Sequence, residues 1–229
     1  MALSPSSTTP PGTGLTSLFS GLHATGTVPL PFMAGVDLRS FVLETRDGVV
    51  IVYNTPGIDA AATEIEALGH PTRLLINHYH EEMYGQPSLD VPVYVHQRDR
   101  AGIENSMRVA GVFTDRERLG DDLEVIPSLS HTPGTTFYLW DSGEHRFLFS
   151  GDAIWVVDGV WRAVILDESD RQAFLDTVAL LRDLDFDVLV PWPAQHGQLP
   201  YDVVSPEQKH TQLDGLAARI LAGVSGPRV

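Results

Sequence analysis

Four times in this chain a short apolar run of strand-forming residues breaks into a polar turn that carries histidine or aspartate. Leu74-Leu75-Ile76 runs into Asn77-His78-Tyr79-His80-Glu81-Glu82-Met83-Tyr84-Gly85, and the turn Ser130-His131-Thr132-Pro133-Gly134 follows Leu123–Ile126. Phe147-Leu148-Phe149 leads into Ser150-Gly151-Asp152, and Val188-Leu189-Val190 into Pro191-Trp192-Pro193-Ala194-Gln195-His196-Gly197. Strand ends hold such groups rigidly at a sheet edge, which is what a constellation of converging side chains requires.

The rest of the pattern says how the strands are arranged. Ser40–Leu43 and Val49–Tyr53 read as neighbouring strands around the Asp47-Gly48 turn. Asp59–Leu68 has helical spacing and ends near Gly69, Arg73–Ile76 and Val93–Val95 are short strands, and Gln97–Ala110 reads as a helix. Leu123–Ile126, Thr136–Trp140, Arg146–Ser150 and Val160–Leu166 follow as strands, the second and third forming a hairpin around Asp141-Ser142-Gly143. Ser169 with Gln172 predicts a capped helix reaching about Leu184. Ser205, Pro206 and Gln208 predict a second, which buries Leu213, Leu216, Ala217 and Ile220 and stops at Gly223. Strands fall in two blocks, each followed by helices. That order suits two packed sheets with helices outside, and a doubly wound sheet also fits it.

Composition narrows the partners. Thirty acidic residues against fifteen basic ones give a net charge of −15, and Lys209 is the single lysine. So acidic a surface repels phosphate backbones, and no nucleic acid partner is expected. No apolar run approaches the roughly 18 residues of a membrane span. Cysteine is absent, so any metal must be held by His, Asp or Glu. Residues 1–13, rich in Ser, Thr and Pro, read as a flexible tail, and 14–229 as one domain. The opening residues have neither the basic nor the apolar stretch of a secretory signal, so a cytoplasmic location is expected. The scarcity of Lys relative to Arg suggests a bacterial source.

In an extended segment residues i and i+2 point to one side, so the imidazoles of His78 and His80 can reach one cation. Zinc and iron both accept neutral imidazole, and His131 is the obvious third ligand, with Asp152 adding a carboxylate and His196 another nitrogen. His96 reads as a cap or packing residue, while His23, His70, His145 and His210 read as solvent-exposed. Trp155, Trp161 and Trp192 read equally well as pocket wall or as core.

From about residue 28 to 222 the sequence resembles the metallo-β-lactamase superfamily. Its HxHxDH motif after a short apolar strand, its His before a Pro-Gly turn, its Gly-Asp after a strand and its late Pro-x-His-Gly type segment occur here in order. The resemblance implies a four-layer αββα sandwich. His78, His80 and His131 then match the first metal site, Asp152 the bridging carboxylate, and Glu82, Met83 and His196 the places of the second site's ligands. The motif here reads His-Tyr-His-Glu-Glu-Met, with Glu82 in place of Asp and Met83 in place of His. A thioether is a poor ligand for hard divalent ions, so one tight metal site and a degraded second are expected. The expected activity is hydrolysis of a small ester, thioester or amide by metal-bound hydroxide, with Zn2+ as the cofactor and Asp152, Glu82 and His196 as the catalytic groups. Two other readings stand beside it. One is a mononuclear Fe2+ oxygenase of the persulfide-dioxygenase kind, using His78, His131 and Asp152. The other is a non-catalytic relative that has lost metal.

Overall fold

Alternation along the strands sorts the apolar side chains into three separate clusters. Phe41, Leu43, Val50 and Val52 belong to one cluster, whereas Val42, Val49 and Ile51, interleaved with them, belong to another. On the other sheet Tyr138, Trp140, Phe147 and Phe149 join the first cluster, while Phe137, Leu139 and Leu148 join a third. The first cluster therefore lies between two sheets, and the other two lie between each sheet and its covering helices. This computed structural model describes residues 14–226 and has the expected αββα layering. The tail expected at 1–13 lies outside the described residues.

The first sheet has seven strands in the order Thr16–Phe19, Leu22–Ala24, Phe41–Thr45, Gly48–Val52, Pro71–Leu75, Val93–His96 and Val109–Phe113. Its last four strands are parallel. The second sheet has six, Glu117–Leu119, Leu123–Pro127, Thr136–Asp141, Arg146–Gly151, Val188–Pro191 and Asp202–Val203. The hairpin around Asp141-Ser142-Gly143 is present, with Asp141 opposite Arg146. Helices Arg171–Asp183 and Pro206–Leu221 cover the outer face of this sheet with Phe174, Val178, Leu181, Leu213, Leu216 and Ile220. The last helix begins as its sequence predicts: Ser205 Oγ accepts the Gln208 N–H, and the Gln208 side chain accepts the Ser205 N–H. Among the described residues no helix is long and apolar enough to cross a membrane.

Three local expectations are corrected. Gln97–Ala110 is not one helix; it forms a single turn at Arg100–Ile103 and then the edge strand Val109–Phe113. Gly111 lets that strand in, because a Cβ there would fall 2.5 Å from the Tyr94 ring. The helix after Ser169 is capped by Asp170, whose Oδ1 accepts the Ala173 N–H at 3.0 Å. Ser169 is engaged elsewhere: its hydroxyl donates to the His131 carbonyl at 2.7 Å. The segment 160–166 is strand only over Val160–Ala163, paired with Ile154–Val157.

Two buried tyrosines join the sheets at one edge. Tyr53 donates its hydroxyl to the Val190 carbonyl at 2.7 Å and accepts the Gly151 N–H at 2.8 Å. Tyr138 donates across the gap to the Ile76 carbonyl at 2.7 Å. The turns bearing His78, His80, His131 and Asp152 all leave from this edge.

Candidate metal centre

Fixing the first turn falls to a residue that sequence reasoning passed over. Asn77 ends the strand Pro71–Leu75 and its short extension, and His78 begins a 3-10 turn at Tyr79–Tyr84. The fully buried Glu81 carboxylate accepts the N–H groups of Asn54 and Asn77, each at 2.7 Å, and of His78 at 3.3 Å. Burial pushes this carboxyl up to about 7, against the pull of His78 and those N–H groups. Two adjacent glutamates are indistinguishable by composition, but only Glu81 is turned inward; Glu82 lines the cavity above the site.

Asp99, 2% exposed, ties this turn to the next. Its carboxylate accepts the Tyr79 N–H at 3.0 Å, the Thr132 hydroxyl at 2.6 Å and the Gly134 N–H at 2.8 Å. His78 and His80 on one turn are thereby held against His131 on the other. The third turn approaches through Gly151, which has φ 58 and packs so closely on Asn77 that a Cβ would sit 1.8 Å from Asn77 Oδ1. Only glycine satisfies both constraints, which explains its place directly before Asp152.

One ligand atom from each of His78, His80, His131 and Asp152 lies within 4.8 Å of all the others. The second nitrogen of each buried ring is already committed. His78 Nδ1 pairs with Asn77 Oδ1 at 3.0 Å, and His131 Nδ1 with the Val164 carbonyl at 2.8 Å. That leaves Nε2 of both rings facing inward, with His131 Nε2 3.3 Å from His80 Nδ1. Such partners fix the tautomer of a ligating histidine. His78 Nε2 and Asp152 Oδ1 are buried and make no hydrogen bond, and His78 Nε2 stands 3.4 Å from Asp152 Oδ2. Buried polar atoms without partners are costly, and here they converge on one point. Three nitrogens and one carboxylate oxygen, preoriented, with His78 Nε2 and Asp152 Oδ1 unsatisfied, fit a divalent cation of the zinc or iron type.

The electrostatics agree with the geometry. Burial, with His78 close by, drives the His131 ring down to about 4, so it is neutral near pH 7 with a lone pair free. Burial and His78 also lower His80. Burial works against a charged His78, but Asp152 and then Glu81 outweigh it and hold that ring above its ordinary value. Burial would likewise lift Asp152, yet the neighbouring histidines, His78 first, keep it below the usual carboxylate range. The same field that favours a proton on His78 favours a cation between these groups.

His196, expected as a further ligand and catalytic group, is not in this cluster. Its ring is 78% exposed and bonds Asp37 Oδ2 at 2.8 Å. It follows the strand Pro193–Gln195, which pairs with Val36–Leu38 in a small separate sheet, and that pairing carries it away from the other histidines. Met83 stands in the cavity wall beside Glu82. Among the described residues no other group of three or more such ligands gathers. The cavity above the cluster measures about 590 Å³, and Tyr79, Trp155 and Trp192 form part of its wall. Trp161 is core, 0% exposed.

No protein-family model matches the chain, and no curated protein sequence does. Solved structures do. A metallo-beta-lactamase from Pontibacter korlensis superposes with a TM-score of 0.65 at 17% identity, over 90% of this chain and 98% of that one. A metallo-beta-lactamase family protein from Thermus thermophilus gives 0.62 at 17% identity, over 90% and 81%. The metallo-beta-lactamase GOB-18 from Elizabethkingia meningoseptica gives 0.56 at 12% identity, over 97% of each. The chain has the metallo-β-lactamase fold.

Proposed function

We propose that this protein is a metal-dependent hydrolase that cleaves a small ester, thioester or amide, with one tightly held ion. The observation that carries the reading is the convergence of His78, His80, His131 and Asp152, with His78 Nε2 and Asp152 Oδ1 buried and unsatisfied. His78, His80, His131 and Asp152 would hold a divalent ion, which would supply Lewis acidity toward a carbonyl and lower the pKa of water toward about 7.

The remaining work belongs to the chain. The neutral rings of His80 and His131 offer lone pairs near pH 7 without first releasing a proton. Asp152, kept ionised, accepts a hydrogen bond from the attacking water and orients it. Glu82 lines the same cavity and is assigned the transfer of a proton to the departing atom. Water adds across the acyl bond: the acyl carbon gains OH, and the leaving oxygen, sulfur or nitrogen gains the proton. The fold's relatives named metallo-beta-lactamases support a hydrolase, and zinc is the ion proposed.

The test is elemental analysis of protein purified without added metal, followed by chelation and reloading with zinc or iron under ester and thioester assay. About one equivalent of zinc, activity lost on chelation and restored by zinc, supports the proposal. Iron content with oxygen uptake on a thiol substrate would replace hydrolysis with oxygen chemistry. Absence of both metals after reloading would leave a non-catalytic protein.

A further inference from the structure

The cavity over the cluster is lopsided in its chemistry. At its base are His80, His131 and Asp152; around its upper wall stand Leu30, Phe32, Met33, Met83, Ile165 and Leu166. Several of these are unusually open for large apolar side chains: Phe32 is 75% exposed, Leu166 37% and Met83 36%. Scattered exposed apolar residues need no explanation, but several gathered on the rim of one concavity mark a binding surface. The volume of about 590 Å³ lies inside the range of small-molecule sites, roughly 300–1,000 Å³.

The charges point the same way. No lysine or arginine among the described residues lines the cavity, while Glu82 and Asp152 do. Glu168 stands at the rim, 3.6 Å from His80 and bonded to the Tyr79 hydroxyl at 3.0 Å. A ligand carboxylate or phosphate in the upper cavity would meet these carboxylates and, among the described residues, no lysine or arginine in the lining to pair with. A site built for an anionic arm uses arginine or lysine for that task.

We infer that the upper cavity takes an uncharged hydrocarbon arm, so that the substrate is a neutral ester or thioester with an apolar acyl chain. The carbonyl lies at the His/Asp base and the chain lies along Trp155, Ile165, Leu166 and Phe32. This deepens the hydrolase reading and rests on it for the reaction, though not for the binding.

Two measurements separate the parts. On the zinc-loaded protein, kcat/KM is measured for p-nitrophenyl esters from acetate to octanoate, and for esters bearing a terminal carboxylate on the acyl chain. The expected result is a rise of about fourfold per added methylene, the ~0.8 kcal/mol of a buried CH2. The carboxylated esters are expected to be slower by at least about a hundredfold than neutral ones of equal length. On the metal-free protein, binding of 2-decanone, which cannot be hydrolysed, is measured by calorimetry beside decanoate. The ketone is expected to bind and decanoate is not. Leu166→Arg, at a partly exposed rim position, should weaken the ketone and raise kcat/KM for the carboxylated ester about tenfold. A flat chain-length series, or preference for the carboxylated ester in the unaltered protein, overturns the inference and leaves the hydrolase standing. Ketone binding with no ester cleaved under any metal supports the apolar cavity and overturns the hydrolase.

Discussion

Gly134 and Asp99 meet too closely for any other residue at 134: the Gly134 N–H donates to Asp99 Oδ1 at 2.8 Å, and a Cβ would lie 2.5 Å from the Asp99 carboxyl carbon. The same carboxylate holds Tyr79 and Thr132, one from each histidine-bearing turn. Asp99→Asn turns one acceptor oxygen into a donor and leaves one of the three without a partner, at a cost of about 1–3 kcal/mol. It should also weaken zinc binding about tenfold, since the turns drift apart. Denaturant midpoints of the metal-free protein and competition with a chelator read the two effects separately. Lost stability with unaltered zinc affinity would show that Asp99 serves the fold and not the site.

Gly151→Ala is expected to cost about 3 kcal/mol or more, because it meets both a positive φ of 58 and the side chain of Asn77. Gly143→Ala meets only the first penalty: its φ is 88, with nothing within 4 Å. It should cost about 1 kcal/mol. Urea melts of both variants test the difference, and equal losses would refute the close approach of Asn77.

Without metal, His131 makes stability fall in acid. Its ring titrates at about 4 when folded, against 6.5 as the ordinary value. Between those values the unfolded chain binds a proton that the folded one refuses. The contribution is therefore full above about pH 6.5, declines as pH drops, and is gone by about pH 4. Glu81 acts in the opposite sense: its folded value of about 7 exceeds the ordinary 4.5, so its contribution is present below 4.5 and is lost as pH rises through 7. That opposing slope is common to the native chain and His131→Gln, so it cancels in their difference. The urea midpoint of the chelated native protein should lose ground to the variant on going from pH 6.5 to 4.5, by up to ~1.4 kcal/mol per unit. Parallel curves would mean that His131 titrates normally.

Met83→His supplies the imidazole that the resemblance finds missing. Uptake is nonetheless expected to stay near one zinc per chain, because His196, the other nitrogen such a second site would need, is bonded to Asp37 and turned to solvent. Elemental analysis after zinc loading decides it; two ions per chain would show that Glu82, Asp152 and the new ring suffice.

The strands were readable because both faces of each sheet are packed, which gives runs such as Leu74-Leu75-Ile76 and Phe147-Leu148-Phe149 no other home. The three histidines and Asp152 were readable because each follows such a run. Gln97–Ala110 was not: Ile103, Met107 and Ala110 mimic helical spacing, and only the pairing of Val109–Phe113 with Val93–His96 overrides it. The hairpin of Ile154–Val157 and Val160–Ala163 carried a usable signal in Asp158-Gly159, whose φ values of 51 and 72 suit a tight hairpin turn. Glu81 and Asp99 carry no motif. Their importance lies in which backbone N–H groups come near them, and that exists only once distant turns have met.

Of the four converging donors, two leave the first sheet and two leave the second. An ion among them would act as a rivet through both halves of the sandwich, at the edge where Tyr53 and Tyr138 already stitch them. Loading would then slow the parting of the sheets, so resistance to proteolysis becomes a gauge of occupancy that needs no knowledge of the substrate.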